Sequence, residues 1–235
     1  MRLGIEKTVK MLLNLHTHLL NKQAGEEIIL NQIIPDSEEA LANFALPDTP
    51  NWLSAGIHPW YIHEKLYPQQ LKKLAYLAAD PAVKLIGECG LDRLKGAPLP
   101  LQEEVFIKQI RIAEEHRKAL IIHCVRCFNE LISIRKIVRP RVPMIVHGFN
   151  NKIEIARQLI EKGFYLSLGG AVLSEESNAV KILQEMPLEN LFLETDDKEI
   201  HISDIYQKVS EMKRISIDEL EKIIFDNYLT ITSLQ

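Results

Sequence analysis

Histidine, threonine, histidine is the first arrangement along the chain whose residue types could do chemistry. His16 and His18 flank Thr17 at the end of an apolar run begun by Leu12 and Leu13. In an extended strand alternate side chains share a face, so the two imidazoles point the same way, about 7 Å apart along the backbone. Two imidazoles on one face can share a divalent cation. Taken alone, the pair reads equally well as two ordinary hydrogen-bonded histidines. The later apolar runs separate the two readings, because they too end in potential ligands: Glu88, His123, His147 and Asp196. These nitrogen and oxygen donors suit zinc, manganese, magnesium or a related divalent ion. Burying several ionisable groups together without a counter-ion costs several kcal/mol per charge, and a metal relieves that cost. The set exceeds what one tetrahedral catalytic zinc takes from protein. Two divalent ions about 3.5 to 4 Å apart, sharing one carboxylate, fit it better. Glu88 is the natural bridge, since its strand lies between the others in chain order.

The elements that must carry these residues follow from the hydrophobic pattern. Strand-like runs end near His18, Ile34, His58, Glu88, His123, His147, Leu168 and Asp196, and most are separated by stretches of helical spacing. The segment between the first two runs is too short for a helical crossover, so if those strands are parallel the first helix has been trimmed away. A brief helix at 40–44 follows, with Asp36-Ser37-Glu38-Glu39 as its start signal. Leu71, Leu74, Ala75 and Ala78 stripe another helix, as do Phe106, Ile110 and Ala113. Helices are also expected over 129–138, at 153–160 with Gly163 behind it, and around 180–183. Ser216-Ile217-Asp218-Glu219 is a capping box before the last one. Roughly eight β units alternating with helices predict an α/β TIM (β/α)8-type barrel. In that fold function sits at the C-terminal ends of the strands, where these polar residues fall. An open doubly wound sheet is the second arrangement, but no glycine-rich nucleotide turn follows the first strand.

With 235 residues, 46% of them hydrophobic, the chain has enough material for one sizeable core. We expect a single domain over 11–235, with residues 1–10 as an N-terminal extension outside it. A formal net charge of −4 argues against a sequence-independent nucleic-acid coat, which needs a basic surface. It leaves room for a local basic pocket. Lys7 and Lys10 before Met11-Leu12-Leu13 look superficially like a signal peptide, but polar residues break the run and no small-residue cleavage site follows. No stretch reaches membrane-spanning length, and no obligate protein partner is evident. Cys89, Cys124 and Cys127 are an odd count that suits a reducing compartment, and we expect the protein in the cytoplasm.

Several motifs together give the chain a likeness. His16-Thr17-His18, Gly56-Ile57-His58-Pro59, Ile86-Gly87-Glu88-Cys89-Gly90-Leu91-Asp92, Ile122-His123-Cys124, Val146-His147-Gly148-Phe149 and Leu193-Glu194-Thr195-Asp196 resemble the TatD family. This is an amidohydrolase-like branch of metal-dependent TIM-barrel hydrolases best known for deoxyribonuclease activity. The resemblance implies that His16, His18 and Asp196 hold one ion, that His123 and His147 hold the other, and that Glu88 is shared. Related amidohydrolases carry a carbamylated lysine on the fourth strand; here a glutamate stands there, and Lys84 lies too early to replace it. The chain departs from the family pattern at Asn14, where many members have Asp. It departs again at Val125, where an arginine is common, and at Asp197-Lys198, after which the usual long loop is nearly absent.

The chemistry expected from the resemblance is phosphodiester hydrolysis, with DNA, single-stranded in particular, as the substrate. A hydroxide generated on the two-metal site attacks phosphorus, and Glu88 and Asp196 are the catalytic carboxylates. His58, Arg93 and Arg126 are the expected substrate contacts, with Lys95 and Lys152 on the same face. Arg135, Lys136, Arg139 and Arg141 form a denser cluster on the opposite rim and read as solvated surface. Asp92 is expected to order the loop after strand four. Trp60 and Tyr61 could stack a base or simply pack at the rim. Cys124 and Cys127 have metal-site spacing that we read as incidental. A hydrolase of a small amide, lactone or phosphate ester is the alternative, because the same hydroxide attacks a carbonyl. A metal-stabilised binding barrel is the non-enzymatic one, disfavoured because structural zinc sites are closed and usually rich in cysteine.

Overall fold

A computed structural model describes residues 11–20 and 23–233; the expected extension at 1–10 lies outside them. Strands β1 (Leu12–Thr17), β2 (Glu26–Ile33), β3 (Trp52–Gly56), β4 (Val83–Asp92), β5 (Leu120–Val125), β6 (Met144–Val146), β7 (Phe164–Leu168) and β8 (Leu191–Leu193) follow one another in sequence order around one 8-stranded parallel sheet. Its two ends meet. Thr17 bridges to Asp196, the His18 N–H donates to the Asp196 carbonyl at 3.0 Å, and the Asp196 N–H donates to the His16 carbonyl at 3.0 Å. The architecture is therefore the expected TIM-type barrel rather than an open sheet. Closure falls on the backbone of three of the expected ligands.

Helices α1 (Glu38–Asn43), α2 (Tyr67–Ala78), α3 (Leu99–Glu115), α4 (Phe128–Val138), α5 (Ile153–Glu161), α6 (Asn178–Glu185), α7 (Ile202–Lys213) and α8 (Ile217–Thr232) surround the barrel. The N-terminal trimming is real: β1 and β2 pair in parallel with no helix among the described residues between them, and α1 has only 6 residues. Local signals act as expected where they are strong. The Ser216 hydroxyl accepts from the Glu219 N–H at 3.1 Å to start α8. Gly163 takes φ 76° just past α5, a left-handed conformation that a residue without Cβ adopts at no cost.

Three expectations need correction. Helix α7 was not anticipated, although Ile202, Ile205, Tyr206 and Val209 are buried at helical spacing; the charged run Asp197-Lys198-Glu199 hides its start. β3 stops at Gly56, so His58 sits in the turn beyond the strand. β4 continues past Glu88 to Asp92, because Gly87 and Gly90 lie inside it instead of ending it.

The strands are buried on both faces, as a barrel wrapped in helices requires. Leu13 and Leu15, and likewise Leu120, Ile121 and Ile122, are all core residues. Polar anchors tie the helices in: the Tyr206 hydroxyl donates to the Leu13 carbonyl at 3.0 Å. No helix among the described residues is long and apolar enough to cross a membrane.

Candidate metal centre

Glu88 stands in the middle of the strand-end cavity because β4 carries one residue more than its partner. Between the pairs Ile86 with Leu120 and Cys89 with Ile122, β4 advances three residues and β5 two. A bulge of this kind re-aims a side chain. Gly87 and Gly90 allow it: a Cβ on either would meet a β5 carbonyl oxygen, of Ile121 at 2.4 Å or of His123 at 2.1 Å. The buried Asn31 amide oxygen then accepts from the Glu88 N–H at 2.8 Å and from the Ser54 hydroxyl at 3.0 Å.

The two oxygens of that carboxylate face two groups of imidazoles. Oε2 lies 3.5 Å from His16 Nε2 and 3.4 Å from His18 Nε2. Asp196 Oδ1 closes this side at 3.6 and 3.5 Å from the same nitrogens. Oε1 lies 2.9 Å from His123 Nδ1, 2.8 Å from His147 Nε2 and 3.1 Å from His58 Nε2. His16, His18 and Glu88 form one group with ligand spacing; His16, His147 and Asp196 form another; His58, Glu88 and His123 form a third. His16 is 0% exposed and neither ring nitrogen has a hydrogen-bond partner. A fully buried, unpaired imidazole is costly, and a cation on this side would relieve it. The donor set therefore fits a divalent metal.

Carboxylates behind the histidines set which nitrogen faces Glu88. Asp92 Oδ2 meets His123 Nε2 at 3.0 Å, leaving Nδ1 towards Glu88. Glu194, fully buried, accepts from His147 Nδ1 at 3.2 Å and from the Gly148 N–H at 2.7 Å, leaving His147 Nε2 inward. Such partners orient a ring and fix its tautomer. His58 differs. Its Nδ1 accepts from the Trp60 N–H at 3.2 Å, so in the neutral ring the proton sits on Nε2 and points at Glu88.

The charges are coupled. Burial alone would raise the Glu88 pKa, but His147, His123 and His16 outweigh it and hold the carboxyl well below its usual range. Burial alone would lower His147; Glu88 and Glu194 push it well above the ordinary histidine value. His16 is raised in the same sense: burial and His147 work against its charge, and Asp196 and Glu88 prevail. His58 is lowered by burial, which Glu88 only partly offsets. Asp196 and Asp92 are lowered, the desolvation of each outweighed, at Asp196 by the His16 imidazole 3.6 Å away and by His147, at Asp92 by hydrogen bonds from Trp60 and His123.

Buried helix glutamines hold the loops. Gln109 grips both backbone groups of Ile57, at 2.8 and 3.0 Å, next to His58. Gln102 accepts from the Asp92 N–H at 2.7 Å and donates to the carbonyls of Asp92, Lys95 and Ala97.

The structure thus brings His16, His18, Glu88, His123, His147 and Asp196 together, all but the fully buried His16 lining a cavity of about 380 Å³, and seats the expected substrate contact His58 among them. It does not bring in the arginines. The Arg93 guanidinium turns to Glu130 at 2.5 Å and its Nε to the Arg126 carbonyl, and Arg126 is exposed. Among the described residues the cavity lining holds no arginine or lysine; Val125 and Asp197 are part of it. Asn14 exchanges hydrogen bonds with Thr195 rather than touching a histidine. Asp92 does order its loop, accepting from Leu94 and Lys95 N–H groups, and it also holds His123. Glu194, Asn31 and the two glutamines were missed. For Glu194 a signal existed, since it lies two residues before Asp196 and shares its parity.

A family model described as TatD related DNase matches residues 7–233. A deoxyribonuclease Tat-D of Schizosaccharomyces pombe is 32% identical over 190 residues, covering 74% of this chain and 60% of its own length. An uncharacterized metal-dependent hydrolase of Bacillus subtilis, YabD, is 29% identical over 68% of this chain and 69% of its own. A 3'-5' ssDNA/RNA exonuclease TatD of Escherichia fergusonii is 32% identical over 62% of this chain and 57% of its own. The matched segment thus spans about three fifths to two thirds of these relatives. Among solved structures, a TatD homolog of Escherichia coli, YJJV, superposes with a TM-score of 0.78 at 20% identity, covering 95% of this chain and 98% of its own. An uncharacterized amidohydrolase of Saccharomyces cerevisiae superposes at 0.66 and 14% identity, over 94% of this chain and 99% of its own. Both share the barrel.

Proposed function

The chain belongs to the TatD family of related DNases, and on that premise we propose that it is a metal-dependent hydrolase cutting phosphodiester bonds of single-stranded DNA. The observation that carries the reading is the division of Glu88: one oxygen towards His16 and His18, the other towards His123 and His147. One divalent ion would be held by His16, His18, Asp196 and Glu88, the second by His123, His147 and Glu88, with zinc, manganese and magnesium as candidates. When bound, such ions activate water at neutral pH and neutralise charge on the phosphate.

The chain's own groups supply the rest. Asp196 borders both the cavity and the His16 side, and its depressed pKa keeps it ionised to accept the attacking water's proton. His58 carries its proton on Nε2, because Trp60 occupies its other nitrogen, and with that N–H it meets Glu88 Oε1 at 3.1 Å and steadies the shared carboxylate. Asp92 and Glu194 hold His123 and His147 in register. Arg93 and Arg126 stand outside the cavity, where they would meet only the flank of a longer strand. The free thiols Cys89, Cys124 and Cys127 support a reducing compartment, and we place the protein in the cytoplasm. Small amides, lactones and phosphate esters are the less favoured substrates, because two of the relatives above are named as nucleases.

The test is to incubate metal-loaded protein with single-stranded DNA, a simple phosphodiester and a lactone, with and without chelator. Cleavage of the strand is expected, lost on chelation and abolished in Glu88→Ala. An unaffected Glu88→Ala rate, or turnover of the lactone alone, refutes the reading.

A further inference from the structure

We propose that Trp60 and Lys95 form a nucleotide subsite at the cavity mouth, with a base stacked on the indole and the adjoining phosphate met by the lysine ammonium. The inference rests on the phosphodiester reading and specifies which substrates it admits. A polyanionic substrate entering the cavity meets no lysine or arginine among its described lining residues. The Lys95 ammonium stands 3.6 Å from the centroid of the Trp60 ring, and Trp60 itself lines the cavity. Exposed aromatic and apolar side chains adjoin the pair in the chain: Trp60 is 36% exposed, Tyr61 38% and Leu94 63%. A small phosphate ester has no use for such a wall. A nucleotide has both a flat apolar ring and a phosphate to offer it.

The indole is built in rather than loosely placed. Its Nε1–H donates to Asp92 Oδ2 at 2.7 Å, and Asp92 Oδ1 accepts from the Leu94 and Lys95 N–H groups. Gly96, at φ 95°, lets the loop lie on the preceding turn, where a Cβ would come within 2.3 Å of the Pro59 carbonyl oxygen. Gln102 pins the Lys95 and Ala97 carbonyls from below. An aromatic ring held in place loses little freedom when a base stacks on it. Every base offers a π face, so such a subsite tolerates any sequence. A lysine over an indole at an exposed site is bound weakly enough to turn to a phosphate.

The test is equilibrium binding of metal-loaded protein to nuclease-resistant phosphorothioate single strands, one ordinary and one abasic throughout, with cleavage of the matching phosphodiester strands followed in parallel. Wild type should prefer the ordinary strand by about tenfold, Trp60→Ala should lose that preference, and Trp60→Phe, which keeps a ring but not the bond to Asp92, should retain most of it. Lys95→Gln should weaken both strands and flatten the salt dependence of log K by about 0.7, the share of one phosphate contact. If Trp60→Ala weakens both strands equally or neither, or if wild type has no preference for bases, the subsite is refuted. If base-dependent binding through Trp60 appears without any cleavage, the hydrolysis reading falls and the subsite stands. Cleavage with no base-dependent role for Trp60 gives the reverse.

Discussion

Asp92 accepts hydrogen bonds from an indole, an imidazole and two backbone amides, so its charge matters more than its bulk. An asparagine there can offer an N–H to His123 Nε2 and turn the ring's lone pair away from Glu88. We expect Asp92→Asn to lower affinity for one metal equivalent by about 10- to 100-fold, measured calorimetrically, with the unfolding transition retained; unchanged affinity would remove Asp92 from the site. A pH effect arises from His147 and Glu88. The raised His147 pKa gives the metal-free protein a stabilising contribution that is complete below the unfolded value of 6.5 and is lost as pH rises through the folded value. The depressed Glu88 pKa contributes above the unfolded value of 4.5 and is lost as pH falls through the folded one. Metal binding needs neutral His147, so it should release protons, and its affinity should begin to fall at a pH above 6.5 as the solution is acidified. Calorimetry in buffers of different ionisation enthalpy counts those protons, and a buffer-independent enthalpy near neutrality would contradict the coupling.

Between elements, the two buried glutamines of α3 act as clamps. Gln102 bonds four backbone groups, two on Asp92 at the end of β4 and two in the segment after it, and leaving buried groups unpaired costs about 1–3 kcal/mol each. Gln102→Ala should destabilise by about 3 kcal/mol or more in denaturant and sharply speed hydrogen exchange at Lys95 and Ala97. Ser216→Ala, which removes only the α8 cap, should cost about 1 kcal/mol and leave metal affinity alone. The contrast separates a helix that supports the site from one that only closes the barrel.

For the whole barrel, closure and metal binding involve the same residues. The hydrogen bonds that close the barrel run through the backbones of His16, His18 and Asp196, whose side chains meet one another beside Glu88. An ion held there would tie the end of the last strand to the first, a site that the unfolded chain does not assemble. At a free metal concentration 100 times its dissociation constant, each equivalent should add about 2.7 kcal/mol of stability, visible as a rise in Tm that a chelator reverses. A Tm indifferent to both would separate the cage from the fold.

Much of this was legible in one dimension. The alternation of apolar runs, the brief N-terminal connections and the donor residues at run ends are local properties, so the runs announce the barrel and His16, His18, Glu88, His123, His147 and Asp196 announce the ligand types. Tertiary structure decided the rest. The bulge that aims Glu88 depends on β5 accepting Gly87 and Gly90 at close range. The nitrogen each ring offers depends on Asp92 and Glu194, and the withdrawal of Arg93 depends on Glu130. Each of these joins residues far apart in the chain, where pattern carries no information and only the distances between atoms choose the partner.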